Sequence, residues 1–133
     1  MAQEDRAAAV ERKETVAARK KNVQSMFNAI AGRYDLLNHL LSAGIDVYWR
    51  RRALGRYRGD CPQRILDLAT GTGDFALAAR RLNPGRIVGA DVAMEMVRIG
   101  VPKVSQVAPQ EKLRLMGGDA ERLPFKDDCF DLI

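Results

Sequence analysis

The sequence has few of the residues that usually build metal sites, disulfide frameworks or base-stacking surfaces. Its 133 residues include two cysteines, one histidine and only 6% aromatic residues. Cys61 and Cys129 lie far apart, with no cysteine or histidine near either at metal-ligand spacing, which argues against a zinc site and a disulfide framework. We therefore expect no metal, and two thiols that are buried or inert.

Long apolar runs are also missing. No uninterrupted apolar stretch approaches the roughly 20 residues that cross a bilayer, and residues 1–21 are charged where a secretory signal needs an apolar segment. The 47% hydrophobic and 29% charged residues are typical of a soluble globular protein, and the length fits one domain. The sequence thus predicts a cytoplasmic protein.

Acidic residues are outnumbered by basic ones. There are 17 Asp and Glu against 22 Lys and Arg, a formal net charge of +5, and much of the excess lies in 19–21 and 50–58. Such clusters suit an anionic surface, either nucleic acid or phospholipid headgroups, although a solvated helix face explains them equally well. Without stacking aromatics or a known nucleic-acid module, we expect no nucleic-acid partner.

The hydrophobic pattern divides the chain into three parts. Residues 1–22 favour helix without a continuous apolar stripe, which predicts a charged helical or disordered segment. In residues 23–59, apolar side chains recur at three- and four-residue steps from Val23 to Leu41, which predicts a helical cap with one buried face. Its last helix, around Val47 to Arg56, is expected to bury Tyr48 and Leu54 while its arginines stay in water. Residues 60–133 follow a different pattern.

Short apolar runs after residue 60 are typical of strands buried on both faces. They are Arg64–Ala69, Arg86–Asp91 and Leu113–Met116, and Asp131–Ile133 begins a fourth. Helices are predicted between them, over 75–82 and from Met94 to Val101, where Pro102 is expected to end the second one. This order predicts an α/β fold, a parallel sheet flanked by helices. Because the sequence stops inside a strand signal, we expect a fragment of a longer protein.

The junction after the first strand carries the strongest candidate site, the run DLATGTGD at 67–74. Glycines there let the backbone turn sharply and approach a ligand. Loops after successive parallel strands converge on one ligand where the strand order reverses. Asp91 ends the second strand, where an acid can accept both hydroxyl protons of a ribose. Asp119 and Ala120 follow the third strand, where an acid can accept a hydrogen bond from an adenine amino group.

The glycine pattern alone fits two classes of ligand. Residues 71–76 also match the dinucleotide pattern G-x-G-x-x-G/A. Asp67 favours the other class, because a carboxylate close to a pyrophosphate costs on the order of 1 kcal/mol or more. S-adenosylmethionine has no phosphate and carries an ammonium and a sulfonium, which acids attract.

These residues resemble those of the Rossmann-like S-adenosylmethionine-dependent methyltransferases. The stretch 26–38, with Leu41, Ser42, Gly44 and Trp49, and the stretch 118–130 (GDAERLPFKDDCF) are similar to the ubiquinone/menaquinone biosynthesis C-methyltransferases. The resemblance covers most of residues 23–133. Ala69 departs from the superfamily pattern D-x-G-x-G-x-G, in which glycine is usual at that position.

The resemblance implies a Rossmann-like fold with an N-terminal helical cap, and S-adenosyl-L-methionine as cofactor. The implied cofactor contacts are Thr72, Asp91, Asp119 and Ala120, with Asp67, Gly71 and Gly73 shaping the methionine end of the site. Tyr34 is the implied substrate contact, and no catalytic base is assigned, since His39 is more simply a packed or solvated residue.

The implied reaction is C-methylation of a polyprenyl hydroquinone, a demethylmenaquinol or ubiquinol precursor. Because the prenyl tail of such a substrate lies in the membrane, we expect peripheral contact with the membrane surface. Another small-molecule or nucleic-acid methyltransferase is the first alternative, and a non-catalytic cofactor-binding fragment is the second. A dinucleotide oxidoreductase ranks last.

Overall fold

A parallel three-stranded sheet forms the centre of the protein. The computed structural model describes residues 15–19, 21–33 and 45–133. The strands are β1 (Arg64–Leu68), β2 (Arg86–Asp91) and β3 (Leu113–Gly117), and they pair in the order β1-β2-β3. All three agree with the predicted strands to within a residue at each end, which confirms the predicted parallel α/β fold.

The last residues of the chain return to the other edge of β1. Leu132 forms an isolated parallel bridge with Ile65, and the N–H of Leu66 donates to the carbonyl of Leu132 at 2.9 Å. The predicted fourth strand is therefore a single bridge in this structure. Since β2 lies on one side of β1 and Leu132 on the other, the order of the sheet reverses at β1, directly below the glycine run.

The helices that follow β1 and β2 cover the same face of the sheet. They are α3 (Asp74–Ala79), extended by a 3₁₀ turn at Arg80–Leu82, and α4 (Met94–Ser105). Both pack on the side chains of Ile65, Ile87 and Leu113, each 1% exposed. The opposite face carries Leu66, Val88 and Ala90, and the segment around Phe125 and Phe130 packs against it.

Helix α4 continues beyond Pro102, where the sequence predicted that it would end. Pro102 lies inside the helix, and the N–H of Gln106 donates to its carbonyl at 3.3 Å. A proline removes one backbone donor, but Val97 and Val104 on both sides of it are buried, at 4% and 2% exposure. Burial of this continuous apolar face outweighs the local penalty and carries the helix to Ser105.

Before the sheet, residues 15–19 and 21–33 are helical, and we call 21–33 helix α1 and Ile45–Gly55 helix α2. The expected burial is wrong for much of this region, because Val23, Met26, Tyr48 and Trp49 are exposed. Leu54 is buried at 3% exposure, as expected. Within the described ranges, no helix combines the length and the apolarity of a membrane span.

Candidate functional site

The loop between β1 and α3 depends on three left-handed backbone conformations at alternate residues. Ala69, Gly71 and Gly73 have φ angles of 59°, 57° and 86°. A Cβ on Gly73 would lie 3.0 Å from Leu115 Cδ1, whereas a Cβ on Gly71 would meet no atom within 4 Å. Gly73 therefore packs inward, and Gly71 borders open space that a ligand can fill. Ala69 adopts the strained conformation without the freedom of glycine.

Asp91 connects this loop to the loop after β2. Its Oδ2 accepts a hydrogen bond from the N–H of Gly71 at 2.7 Å, and its Oδ1 accepts one from the N–H of Ala93 at 2.8 Å. The residue is 9% exposed. Each carboxylate oxygen has a further lone pair, so Asp91 keeps acceptor capacity for a ligand while it holds the two loops together.

Asp67 brings a second carboxylate to the same place. Its Oδ2 accepts a hydrogen bond from the Thr70 hydroxyl at 2.5 Å. Burial raises the pKa of Asp67, and the charge of Asp91 adds to this, while hydrogen bonds from Thr70 and Ala76 oppose it. A cationic ligand would stabilise the charged form of Asp67, which burial and the nearby Asp91 disfavour.

The loop after β3 approaches the same end of the sheet through Gly118, whose N–H donates to the carbonyl of Asp91 at 2.9 Å. Asp119 then closes a turn: its Oδ1 accepts from the N–H of Glu121 at 3.0 Å, and its carbonyl accepts from the N–H of Arg122. Ala120 lies in that turn and is exposed. The structure thus brings three of the predicted loops together at one edge.

Thr72 faces a different direction from its neighbours. It is 2% exposed, and its hydroxyl accepts a hydrogen bond from Lys103 Nζ of α4 at 3.0 Å. Gly100, also on α4, allows this approach, because a Cβ there would lie 2.6 Å from the Thr72 carbonyl oxygen. The Thr72 side chain therefore holds the loop against α4, and its backbone borders the turn at Gly71.

Asp74 is the first residue of α3, and its carboxylate forms ion pairs with two other helices. No side-chain hydrogen bond caps this helix. Asp74 Oδ1 lies 2.8 Å from Lys103 Nζ, and Oδ2 lies 3.1 Å from Arg50 of α2, which also pairs with Asp46. Burial alone would raise the pKa of Asp74, but the hydrogen bonds and charges of Lys103 and Arg50 lower it.

Sequence reasoning did not find Lys103, and it assigned Arg50 to a solvated surface. Arg50 is in fact only 18% exposed at its side chain. Lys103 lies 29 residues from Asp74, too far along the chain for helical or strand periodicity to relate them. The available signal was an acid directly after the glycines together with a lysine on the next crossover helix.

Other candidates fall outside the site or outside the described residues. Tyr34 and His39 lie outside the residues that the structure describes. Met96 fills the core at 2% exposure, and Met94 is 43% exposed, with its sulfur against Gly117. Cys61 is exposed and Cys129 is half-buried, so neither thiol is buried, and their expected inertness stays a prediction.

The chain is similar in sequence to a known family of methyltransferases. The profile described as the ubiE/COQ5 methyltransferase family matches residues 14–133. The chain is 50% identical over 109 residues to the demethylmenaquinone methyltransferase of Thermus thermophilus, covering 81% of this chain and 49% of that protein. It is 43% identical over 116 residues to the demethylmenaquinone methyltransferase of Bacteroides fragilis, covering 86% and 47%. The chain spans about half the length of these curated relatives.

Solved structures share the fold. A putative S-adenosyl-L-methionine-dependent methyltransferase from Methanococcus maripaludis superposes with a TM-score of 0.63 at 19% identity, over 75% of this chain and 45% of that one. This likeness supports the Rossmann-like sheet and its crossover helices. The family profile covers most of the chain and includes both the glycine loop and the helices before it. The chain belongs to the ubiE/COQ5 methyltransferase family.

Proposed function

We propose that the chain provides the S-adenosyl-L-methionine site of an enzyme that methylates a ring carbon of a polyprenyl hydroquinone. The observation that carries this proposal is the hydrogen bond from the N–H of Gly71 to Asp91 at 2.7 Å. In a dinucleotide site, the amides of such a loop face a pyrophosphate. Here the Asp91 carboxylate already accepts a hydrogen bond from the Gly71 amide. Its negative charge at this position disfavours binding of a phosphate and favours binding of a cation.

The proposed cofactor contacts divide by the chemistry of the ligand. Asp67, Gly71, Thr72 and Gly73 form the wall of the methionine end, with Thr72 contributing backbone because its hydroxyl binds Lys103. Asp91 has lone pairs left for ribose hydroxyls. The turn at Asp119–Ala120 would meet the adenine. The carboxylates fit a ligand that carries an ammonium and a sulfonium.

In the proposed reaction, the cofactor supplies an electrophilic methyl group, which passes from sulfur to a ring carbon of the hydroquinone. The carbon–sulfur bond breaks as the carbon–carbon bond forms, and the hydroquinone loses a proton. The residues of this chain contribute by binding and by fixing the geometry, since holding the two reactants in line supplies much of the rate. Tyr34 is proposed to contact the substrate.

Calorimetric titration of the chain with S-adenosylhomocysteine and, separately, with NADH tests the cofactor assignment. We expect binding of the first and none of the second. Asp91→Asn should weaken S-adenosylhomocysteine about tenfold or more, because a hydrogen bond to a charged group is worth about 1.5–3 kcal/mol. Asp60→Asn, an exposed carboxylate away from the loops, is the matched control. Binding of NADH alone, or of neither ligand by a folded chain, would contradict the assignment.

The substrate class has its own test, which needs the methyl transfer itself. Formation of S-adenosylhomocysteine is followed with demethylmenaquinol and with a ubiquinol precursor that have short prenyl tails. Activity with either, but not with a catechol of similar size, supports a quinone substrate. Activity with the catechol alone would favour another small-molecule methyltransferase.

We also propose that helix α2 contacts the membrane surface on which such a substrate lies. Tyr48 and Trp49 are 56% and 60% exposed, with their rings edge to face at 5.6 Å. Arg51 and Arg52 of the same helix are also exposed, and Arg52 donates a hydrogen bond to the Tyr48 hydroxyl at 3.3 Å. Exposed aromatics next to arginines match the chemistry of an anionic lipid interface.

Sedimentation with phosphatidylglycerol vesicles and with neutral vesicles tests this contact. Arg52→Glu should reduce binding to the anionic vesicles, because Arg52 lies next to Tyr48, whereas Arg114→Glu, a substitution of an exposed arginine on β3, should change it less. High salt should release the protein, because the attraction is electrostatic. Binding that does not respond to salt would contradict the proposal.

A further inference from the structure

Asp74 is the point where the glycine loop meets two helices from different parts of the chain. It is the first residue of α3, directly after Gly73. Lys103 of α4 approaches one carboxylate oxygen at 2.8 Å, and Arg50 of α2 approaches the other at 3.1 Å. A single carboxylate therefore connects the cap helix, the helix after β2 and the loop.

Lys103 also holds the loop two residues before Asp74, where its Nζ donates to the Thr72 hydroxyl at 3.0 Å. On the other side of the loop, Asp91 holds the N–H of Gly71 at 2.7 Å. Residues 71–74 are thus clamped from β2 and from α4. Gly73 is also held by the backbone, since its N–H donates to the Thr70 carbonyl and its carbonyl accepts from the N–H of Leu77, both at 2.9 Å. The side-chain contacts add to these bonds and connect the loop to β2 and α4.

Arg50 extends the clamp to the helical cap. Its side chain is 18% exposed, and it is held by Asp46 of its own helix as well as by Asp74. A partly buried and doubly paired guanidinium has little freedom to move. A displacement of α2 would therefore displace the carboxylate of Asp74, and with it the end of the loop.

We propose that Arg50 and Lys103 are positioning residues that couple the helical cap to the glycine loop through Asp74. This inference rests on the proposed function, since the loop is the proposed cofactor site. In this arrangement, a cofactor that orders the loop also orders α2. A substrate held under the cap then strengthens cofactor binding by the same factor by which the cofactor strengthens substrate binding.

The affinity for a cofactor analogue tests whether the contacts of Lys103 and Arg50 position the loop. Titration with S-adenosylhomocysteine should show a loss of roughly five- to tenfold for Lys103→Met, and a smaller loss for Arg50→Met, because partly exposed ion pairs are screened. Lys103→Arg should recover part of the loss, since it keeps the charge. Arg98→Met is the control on the same helix, because the Arg98–Glu95 pair is largely exposed, at 71% and 45%. We expect it to stay within about twofold of the parent.

Hydrogen exchange of the unliganded chain tests the coupling without any cofactor. In Arg50→Met, the amides of 71–75 should exchange several-fold faster, although the substitution lies in α2. An Arg50 that only stabilised its own helix would speed exchange in 45–55 alone. Unchanged exchange at 71–75 in a variant that remains folded by thermal denaturation would overturn the inference.

The two experiments separate the failure of this inference from the failure of the proposed function. A parent chain that does not bind S-adenosylhomocysteine but transmits the Arg50 substitution to 71–75 retains the coupling and loses the cofactor assignment. A parent that binds, with Lys103→Met and Arg98→Met equally harmless, keeps the cofactor assignment and removes the clamp.

Discussion

The sheet region and the helix before it are held in place by different forces. In the sheet, Ile65, Ile87 and Leu113 are each 1% exposed and form a continuous core with α3 and α4. In α1, by contrast, Val23 and Met26 are 49% and 54% exposed. Burial of apolar area stabilises the first region, and it can contribute much less to the second.

Helix α1 is positioned by a small apolar cluster, in which Ala31 and Phe27 pack with Ala93 and Met96, and by two amide side chains near the end of β2. Gln24 Nε2 donates to the carbonyl of Val92 at 2.7 Å, and Asn28 Oδ1 accepts from the N–H of Glu95 at 3.2 Å. Helix α4 has no side-chain cap of its own at Ala93, so Asn28 supplies from α1 one of the partners that a helix N-terminus needs. Helix α1 therefore depends on a formed sheet, whereas the main core cluster of the sheet contains no residue of α1.

The largest expected effect is a substitution in the sheet core. Ile87→Ala removes a side chain that is 1% exposed and should lower the free energy of unfolding by about 2–5 kcal/mol. Ile30→Ala in α1, 38% exposed, should cost less than about 1 kcal/mol. Urea denaturation followed by circular dichroism measures both. Equal losses would remove the contrast between the two regions.

Two glycine-to-alanine substitutions sharpen the contrast. Gly100→Ala forces a Cβ to within 2.6 Å of the Thr72 carbonyl oxygen and should destabilise the protein by about 1–3 kcal/mol. At Gly32 a Cβ would meet nothing within 4 Å, so Gly32→Ala should stabilise by about 0.5 kcal/mol through the unfolded chain. The midpoint temperature of thermal unfolding should therefore fall in Gly100→Ala and rise in Gly32→Ala. A shift of the same sign for both would show that the approach of α4 to the loop is looser than described.

The hydrogen bond between α1 and the start of α4 can be removed by a substitution at Asn28. Asn28→Ala removes the acceptor for the N–H of Glu95 and should cost about 1 kcal/mol, as the loss of a helix cap does. Asn22→Ala, an exposed residue of the same helix, is the control and should have little effect. Native-state hydrogen exchange at 94–97 reports the loss locally. If both variants exchange alike there, Asn28 does not cap α4.

The smallest expected effect is on the pH dependence of stability. The pKa of Asp74 is lowered, so its contribution is present above its unfolded pKa of about 4 and is lost as acid protonates it. The pKa of Asp67 is raised, so its pH dependence runs the other way. Asp67 favours folding while it is protonated, below its unfolded pKa of about 4, and this stabilisation is lost as the pH rises through its pKa in the folded protein.

Urea titrations of the parent, Asp74→Asn and Asp67→Asn between about pH 3 and pH 8 separate these contributions. The stability gap between the parent and Asp74→Asn should narrow toward the acid end. Asp67→Asn should gain stability relative to the parent toward neutral pH. Parallel curves for all three proteins would mean that neither carboxylate is perturbed by folding.

The sequence predicts the sheet region well because each element there carries a local signal. The strand β2 and the turn at Gly71 and Gly73 can both be recognised from the residues that directly precede and follow them. The continuation of α4 past Pro102 could not be predicted in this way, because burial of Val104 depends on the sheet.

The candidate site is predictable in its loops and not in its supports. Asp67, Asp91 and Asp119 follow strands, and strand ends can be recognised from sequence. The pairing of Asp74 with Arg50 and Lys103 joins positions 24 and 29 residues away in sequence. It exists only because α2 and α4 lie beside the same helix start, and no periodicity in the sequence encodes that proximity.

Trp49 gives the protein an optical probe of its own. It is the only tryptophan in the sequence, it is 60% exposed, and it is adjacent to Arg50 on α2. Its fluorescence therefore reports one location, with no signal from the core to subtract. A shift of emission to shorter wavelength on adding vesicles or a ligand would show that something has displaced water from the outer surface of α2, without any label being attached.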